Sequence, residues 1–395
     1  MLPLPFKMSS LHSPESATRD RYAAAAKAPE AALCCPVDYD PQYLKIIPSE
    51  VIEKDYGCGD PSKFLHPGET VLDLGSGTGK ICFIAAQVVG EDGWVIGVDM
   101  TDDMLEVARR NAPVVAERIG YANVEFRKGR IQDLALDLEL LDGVLKDKPI
   151  DGVNSFLAAD ELAADLRAHQ PLIPTESVDV VVSNCVLNLV ETQLKRQLFE
   201  EIFRVLKRGG RAVISDIVSD EAIPEHLQNN AELWSGCISG SYTEEGFLEA
   251  FAEAGFYGIE FVKYEAVPWR TVEGIEFRSV TVQAWKGKQG PCYERNQAVI
   301  YKGPFRKVLD DDGHAMERGK RYAVCDKTFQ LFKSAPYRNH FAFVEPRVEI
   351  PLGEAGPFSC QGMNLRHPRE SKGQDYQATT EASNCRTAGE GIDCC

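Results

Sequence analysis

The stretch Val71-Leu72-Asp73-Leu74-Gly75-Ser76-Gly77-Thr78-Gly79-Lys80 is an apolar run that breaks on three alternating glycines, and Ile81-Cys82-Phe83-Ile84-Ala85-Ala86 resumes it. The pattern predicts strand, tight turn, helix. Glycine at 75, 77 and 79 lets the turn take positive φ and lets a ligand approach the backbone without meeting a Cβ. A helix starting near Lys80 offers unpaired amide donors in its first turn. A nucleotide-like ligand is therefore expected on this turn.

The spacing lacks the terminal Lys-Ser/Thr of a phosphate-gripping loop, so phosphate contact is not required by it. Asp73 argues further against a pyrophosphate, because a carboxylate at the mouth of the turn repels anions but suits the ammonium and sulfonium of S-adenosylmethionine. About twenty residues on, Trp94-Val95-Ile96-Gly97-Val98-Asp99-Met100 reads as a second buried strand, ending in an acid that can take both hydroxyls of a ribose. D-L-G-S-G-T-G followed by G-V-D-M at βαβ spacing resembles class I S-adenosylmethionine-dependent methyltransferases. The resemblance implies an α/β, Rossmann-like fold. After a third strand over 124–128, Gly129-Arg130-Ile131-Gln132-Asp133-Leu134 stands where this fold edges the adenine, with the Ile131 amide as a donor and Gln132 or Asp133 as the acceptor. The donor site is expected to comprise Tyr56, Asp73, Gly75, Ser76, Gly77, Asp99, Met100, Ile131, Gln132 and Asn184.

A chain of 395 residues suits one full α/β domain with a smaller appendage. The net charge of −17 disfavours nucleic acid as a substrate, since a phosphate backbone needs clustered basic surface. No apolar segment approaches membrane-spanning length and no secretory signal opens the chain, so a cytoplasmic protein without membrane contact is expected. A reducing compartment would keep the 12 cysteines as thiols.

In order, residues 1–32 read as a mobile arm with a weak helical patch over 17–27. Alternating strands and helices fill 33–286, with a helix over 192–206 that ends on Lys207-Arg208-Gly209-Gly210. An acidic insertion over 135–177, helical near 158–166, interrupts the rhythm and is a candidate lid. From 287 to 352, short β-like runs suggest a small β-rich C-terminal domain. The Cys-containing 353–395 reads as a flexible tail.

Three cysteines stand in unusual contexts. Cys58 lies between glycines in Tyr56-Gly57-Cys58-Gly59, where flanking glycines should expose it. Cys185 follows Asn184 at the carboxyl end of the apolar strand 178–184, over the expected ligand crevice. Cys237 sits in Trp234-Ser235-Gly236-Cys237-Ile238-Ser239-Gly240. With the two donor motifs, these contexts resemble arsenite S-adenosylmethionine methyltransferases. The resemblance spans about 33–261 and extends weakly through the C-terminal part. It implies that Cys58, Cys185 and Cys237 bind trivalent arsenic or take part in its turnover, and that Cys34 or Cys35 joins in disulfide exchange. Two features depart from the family pattern: the 135–177 insertion, and a serine-glycine pair before Cys237 where an acid commonly precedes the cysteine.

The chemistry agrees with the residues. Trivalent arsenic is soft, so three thiolates hold it better than oxygen ligands do. Its lone pair can face the donor methyl, so displacement at carbon needs no general base. Each transfer oxidises arsenic by two electrons, which a disulfide from Cys34 or Cys35 with Cys58 would return, to be reset by an external thiol such as thioredoxin or glutathione. The protein is expected to act as a monomer. Two alternatives compete: a small-molecule C- or O-methyltransferase, although none of the 7 histidines falls in the motifs as a base, and a non-catalytic soft-metal thiol protein. A thiol zinc site is disfavoured by the lack of C-x-x-C pairs.

Overall fold

The structure, a computed structural model, describes residues 14–27, 37–54, 56–362 and 364–380. The chain divides into two units, 1–288 and 289–395.

The first unit opens with helix α1 (Pro14–Ala25). The glycine run then folds as β1 (Thr70–Leu74), a turn, and α2 (Lys80–Val89). Gly75, Gly77 and Gly79 take φ of 69°, 52° and 93°, all left-handed values that side chains resist. A Cβ on Gly77 would meet nothing within 4 Å, whereas one on Gly75 would lie 2.4 Å from Val186. The first therefore leaves the turn open, and the second lets a neighbouring loop close on it.

The alternation continues through β2 (Trp94–Asp99), α3 (Asp102–Ile119) and β3 (Val124–Lys128). Helices α4 (Leu138–Asp147) and α5 (Val153–His169) precede β4 (Val178–Asn184), α6 (Lys195–Val205) and β5 (Leu206–Ser219). The unit closes with α7 (Ala231–Ser235), β6 (Tyr242–Thr243), α8 (Glu244–Glu253), β7 (Tyr257–Tyr264), β8 (Arg270–Val272) and β9 (Ile275–Trp285). The main sheet runs β3-β2-β1-β4-β5-β9-β7, with β6 on β5 and β8 on β9. Strands β3 to β5 are parallel; β9 pairs antiparallel with β5 and β7.

Helices bury both faces, as a parallel sheet of near-continuous apolar strands requires. Val71, Val95, Val180 and Val182 pack with Ile81 and Phe83 of α2 and Leu105 of α3. Leu72, Leu74 and Val98 pack on the other face with Phe199 and Ile202 of α6 and Phe251 of α8. Because β1 lies between β2 and β4, chain order reverses there, and a crevice opens beyond the carboxyl ends of β1 and β4.

Four expectations need correction. The helix expected over 192–206 begins at Lys195 and ends at Val205, and the Lys207-Arg208-Gly209-Gly210 run lies inside β5. Ladder bonds outweigh the cap signal here: Gly209 N–H donates to the Lys286 carbonyl at 2.7 Å and Lys286 N–H to that of Gly210 at 2.9 Å. A register shift against β4 absorbs the positive φ of Gly209.

The arm expected over 1–32 is, for residues 14–27, a docked helix. Arg21 donates to Ser235 Oγ at 2.8 Å, Arg130 pairs with Glu15 at 2.8 Å, and Lys27 pairs with Asp103 at 3.0 Å. The insertion over 135–177 forms the hairpin α4–α5 around Leu136, Ala163 and Leu166. It contributes no residue to the lining of the crevice described below, so the expected lid does not cover the site in this structure.

The second unit contains β10 (Tyr293–Glu294), β11 (Ala298–Tyr301), β12 (Lys307–Leu309), β13 (Ala315–Glu317) and β14 (Arg321–Ala323). Helix α9 (Asp326–Lys333), β15 (Phe341–Val344), β16 (Gly356–Pro357) and α10 (Pro368–Lys372) follow. Its central sheet, β14-β11-β15, packs Val299, Tyr322 and Phe341 against Phe329 and Phe332 of α9. The tail expected from 353 onward is folded through its described part: β16 pairs with β10, and the buried Arg366 guanidinium bridges to Glu294 at 2.6 Å.

Candidate active site

The crevice at the reversal point holds about 970 Å³ of empty space, open mouth included. All ten expected donor-site residues, Tyr56, Asp73, Gly75, Ser76, Gly77, Asp99, Met100, Ile131, Gln132 and Asn184, line it, and so does Cys185.

Asp99 closes β2 and locks the glycine turn. One carboxylate oxygen accepts from Gly77 N–H at 2.9 Å and the other from Thr101 N–H at 2.8 Å. Burial raises its pKa, and those two amides oppose the rise. Asp73, buried in β1, accepts from the Cys82 thiol at 3.2 Å. Asp133 is held by Arg167 of α5 at 2.9 and 3.0 Å, and the buried Gln132 lies on the crevice wall.

The lining fits S-adenosylmethionine. Ser76 Oγ and Thr18 Oγ1 are buried on the crevice wall with no hydrogen-bond partner, and a polar ligand would supply one. Asp73 and Asp99 give the two carboxylates that an ammonium and a ribose require.

Asn184 serves another purpose beside lining the crevice. Its Oδ1 accepts from the amides of Cys58 at 2.9 Å and Gly59 at 3.0 Å, and its Nδ2 donates to the Gly59 carbonyl at 2.8 Å and to Tyr39 Oη at 3.1 Å. It clamps the Cys58 loop onto the end of β4. This explains the two glycines, which the sequence suggested would expose Cys58. A Cβ on Gly57 would lie 2.1 Å from Asn184 Nδ2, and one on Gly59 would lie 2.4 Å from Ser215 Oγ. The glycines permit close approach, and Cys58 is buried, at 2 % exposure.

Cys58, Cys185 and Cys237 fall in one buried cluster with Leu189, Ile217 and Ile238. Cys58 and Cys185 sulfurs lie within 4.8 Å of each other and of a carboxylate oxygen of Asp216. Cys237 is not in that group; its thiol donates to the Cys185 carbonyl at 3.1 Å. Cys185 and Cys237 both take left-handed backbone, at φ 63° and 61°, among five such non-glycine residues described. That conformation costs about 1–2 kcal/mol in an L-residue, and such strain concentrates at functional sites. Cys34 and Cys35 lie outside the described residues.

The sequence analysis missed three residues at or beside the site. Tyr22 of α1 lines the crevice and hydrogen-bonds Cys237; burial, then the sulfurs of Cys237 and Cys185, keep its phenol protonated. A helix read as an arm carries no such hint. Asp216 was findable, being an acid inside the apolar strand Val213-Ile214-Ser215-Asp216-Ile217-Val218. Burial pushes its pKa up to about 6, although the amides of Ile217, Asn188 and Leu187 donate to it. Lys195, buried at the start of α6, is lowered to about 8 by burial, against the pull of Asp216 and Cys237.

A parallel sheet in this order, with an open glycine turn after β1 and an acid after β2, defines a class I methyltransferase. A methyltransferase domain family matches residues 65–164 and 155–255, and a domain family of unknown function matches 288–376. The chain is 32% identical to the arsenite methyltransferase of Aquipseudomonas alcaligenes over 90% of this chain and 94% of that one, and 28% identical to the human arsenite methyltransferase over 82% and 78%. The crystal structure of an arsenic (III) S-adenosylmethionine methyltransferase from Chlamydomonas reinhardtii aligns with a TM-score of 0.52 at 27% identity, covering 84% of this chain and all of that one. The chain belongs to the arsenite methyltransferase family. Among the described residues, no helix is long and apolar enough to cross a membrane.

Proposed function

We propose that this protein transfers methyl groups from S-adenosylmethionine to trivalent arsenic held by Cys58, Cys185 and Cys237. The observation that carries this reading is the convergence of three thiols, more than a hundred residues apart at the extremes, in one buried cluster of which Cys185 also lines the donor crevice.

Binding replaces oxygen by sulfur. Each thiol of Cys58, Cys185 and Cys237 takes the place of one hydroxyl of As(OH)3, and each departing hydroxyl leaves as water with the thiol proton. Cys58 and Cys185 are close enough to begin this, and Cys237 completes the set by turning its sulfur from the Cys185 carbonyl. The Asp216 carboxyl, with its pKa near neutrality, can accept a thiol proton in transit. Tyr22 remains a neutral donor toward Cys237.

When bound, S-adenosylmethionine supplies an electrophilic methyl on a sulfonium, to which the arsenic lone pair is open. Gly77 gives the ligand access to the turn, Asp73 faces positive charge, Asp99 takes the ribose hydroxyls, and Ile131 and Gln132 edge the base. Transfer raises arsenic from three- to five-valent, and two thiolates return the electron pair by closing a disulfide. Cys34 or Cys35 with Cys58 is the proposed pair. An external dithiol such as thioredoxin, or glutathione, reopens it in a reducing cytoplasm, with the chain acting as a monomer.

The test is speciation of arsenic after incubating purified protein with arsenite, S-adenosylmethionine and thiol. Mono- and dimethylated products support the reading. Donor binding without any methylated arsenic rejects it. Cys34→Ser and Cys35→Ser should slow the first methylation and spare that of monomethylarsenite; equal loss of both in the double variant removes the exchange role.

A further inference from the structure

The second unit gathers its own thiols. Cys292, Cys325 and Cys360 offer sulfurs that all lie within 4.8 Å of one another. They arrive from three places: Cys292 precedes β10, Cys325 stands before the first residue of α9, and Cys360 follows β16.

Local structure holds each one. Strand β10 pairs with β16, Tyr293 opposite Pro357, and Phe358 N–H donates to the Cys292 carbonyl at 2.8 Å, so the ribbon keeps Cys292 and Cys360 together. Cys325 caps α9; its sulfur accepts from Thr328 N–H at 3.4 Å. Arg295 ties the ribbon to the helix through Asp326 at 2.7 Å. Cys325 is buried, whereas Cys292 and Cys360 are half-buried, which gives the group a dry floor and an open mouth. The Cys292 sulfur is hydrogen-bonded with Cys360, Cys325 and the Lys327 ammonium.

We propose that Cys292, Cys325 and Cys360 form a second binding site for trivalent arsenic, in the C-terminal unit. An all-thiol group selects a soft ion. Among the described residues no fourth Cys, His, Asp or Glu joins these three, whereas a structural zinc site is closed by four protein ligands. Trivalent arsenic needs three sulfurs and keeps its lone pair in the fourth direction. As in the crevice, three As–O bonds give way to three As–S bonds and three waters leave, so no oxidant or reductant is required. The choice of arsenic as the ion rests on the function proposed above; the thiol group itself does not.

The test measures arsenic retained per chain by the reduced full-length protein after gel filtration, together with the affinity of the last equivalent to leave. Cys360→Ser and Cys325→Ser are compared with wild type and with Cys185→Ser. Serine is a preferred helix cap, so Cys325→Ser is expected to fold. Each of the two C-terminal variants should lose one equivalent, or hold it at least about tenfold more weakly, while Cys185→Ser keeps that equivalent and loses a different one. Wild-type stoichiometry and affinity in both C-terminal variants overturns the site. Zinc that copurifies at one per chain, disappears in the same variants and is not displaced by arsenite overturns the choice of ion. If Cys185→Ser keeps every equivalent while Cys360→Ser loses one, the crevice reading fails and this one stands.

Discussion

The two thiol groups of this chain are built in opposite ways. In the first unit, Cys185 and Cys237 sit on left-handed backbone in an apolar cluster, and Cys58 and Cys185 group with Asp216 and not with Cys237. In the second, all three sulfurs are mutually adjacent, Cys325 holds an ordinary extended cap conformation at φ −68°, and Cys292 and Cys360 meet solvent. The first group adjoins a ligand crevice lined by Cys185. A site that only retains an ion can be assembled without strain from loop ends. On the function proposed above, the first site must also present the ion to a reacting carbon, and strained backbone there would fix its direction.

The contrast can be attacked experimentally, the largest effect first. Cys185→Ser should reduce methylation of both arsenite and monomethylarsenite to background in a speciation assay; retained turnover would mean that the strained cysteine does not hold the substrate. Asp216→Asn tests the buried acid beside Cys58 and Cys185. Its folded pKa of about 6 exceeds the ordinary unfolded value, so its stabilising contribution is present at low pH and is lost as pH rises through 6. From pH 4 to 7, wild type should therefore lose about 2 kcal/mol relative to the variant, read from parallel denaturant melts. A pH-independent difference would remove Asp216 as a titrating group.

Gly57→Ala drives a Cβ to 2.1 Å from Asn184 Nδ2, a side chain pinned by its contacts with the Cys58 loop. The expected cost is about 1–3 kcal/mol of stability, with arsenic affinity falling further than the melting temperature implies. Asp99→Ala frees the Gly77 and Thr101 amides and should weaken S-adenosylmethionine about 10- to 100-fold by calorimetry, leaving arsenic retention intact. Smallest of all, Cys185→Gly should be more stable than Cys185→Ala by about 1 kcal/mol because glycine accepts the left-handed φ. Equal stability would show that the positive φ at 185 carries no strain.

Legibility followed the range of the interactions. The donor half was readable because a glycine turn and the acid closing the next strand are local in sequence, and the fold places them together without help from elsewhere. The thiol half was readable only as three odd contexts. That Gly57 and Gly59 serve close approach and not exposure depends on Asn184 and Ser215, which lie far along the chain. The helix carrying Tyr22 looked like a loose arm because its burial comes from partners such as Ser235 and not from its own composition. Lys207-Arg208-Gly209-Gly210 was misread as a helix end, since its ladder partner Lys286, just past β9, is more than seventy residues away.

By itself, then, the sequence determined the α/β class, the glycine turn that lines the crevice, and which cysteines stand in odd surroundings, because periodicity, glycine placement and charge act over a few residues. Tertiary structure alone decided that Cys58 is buried, that Asn184 is a clamp, that α1 walls the crevice, and that Cys292, Cys325 and Cys360 meet. Those outcomes rest on hydrogen bonds and packing between distant segments, which no local pattern encodes.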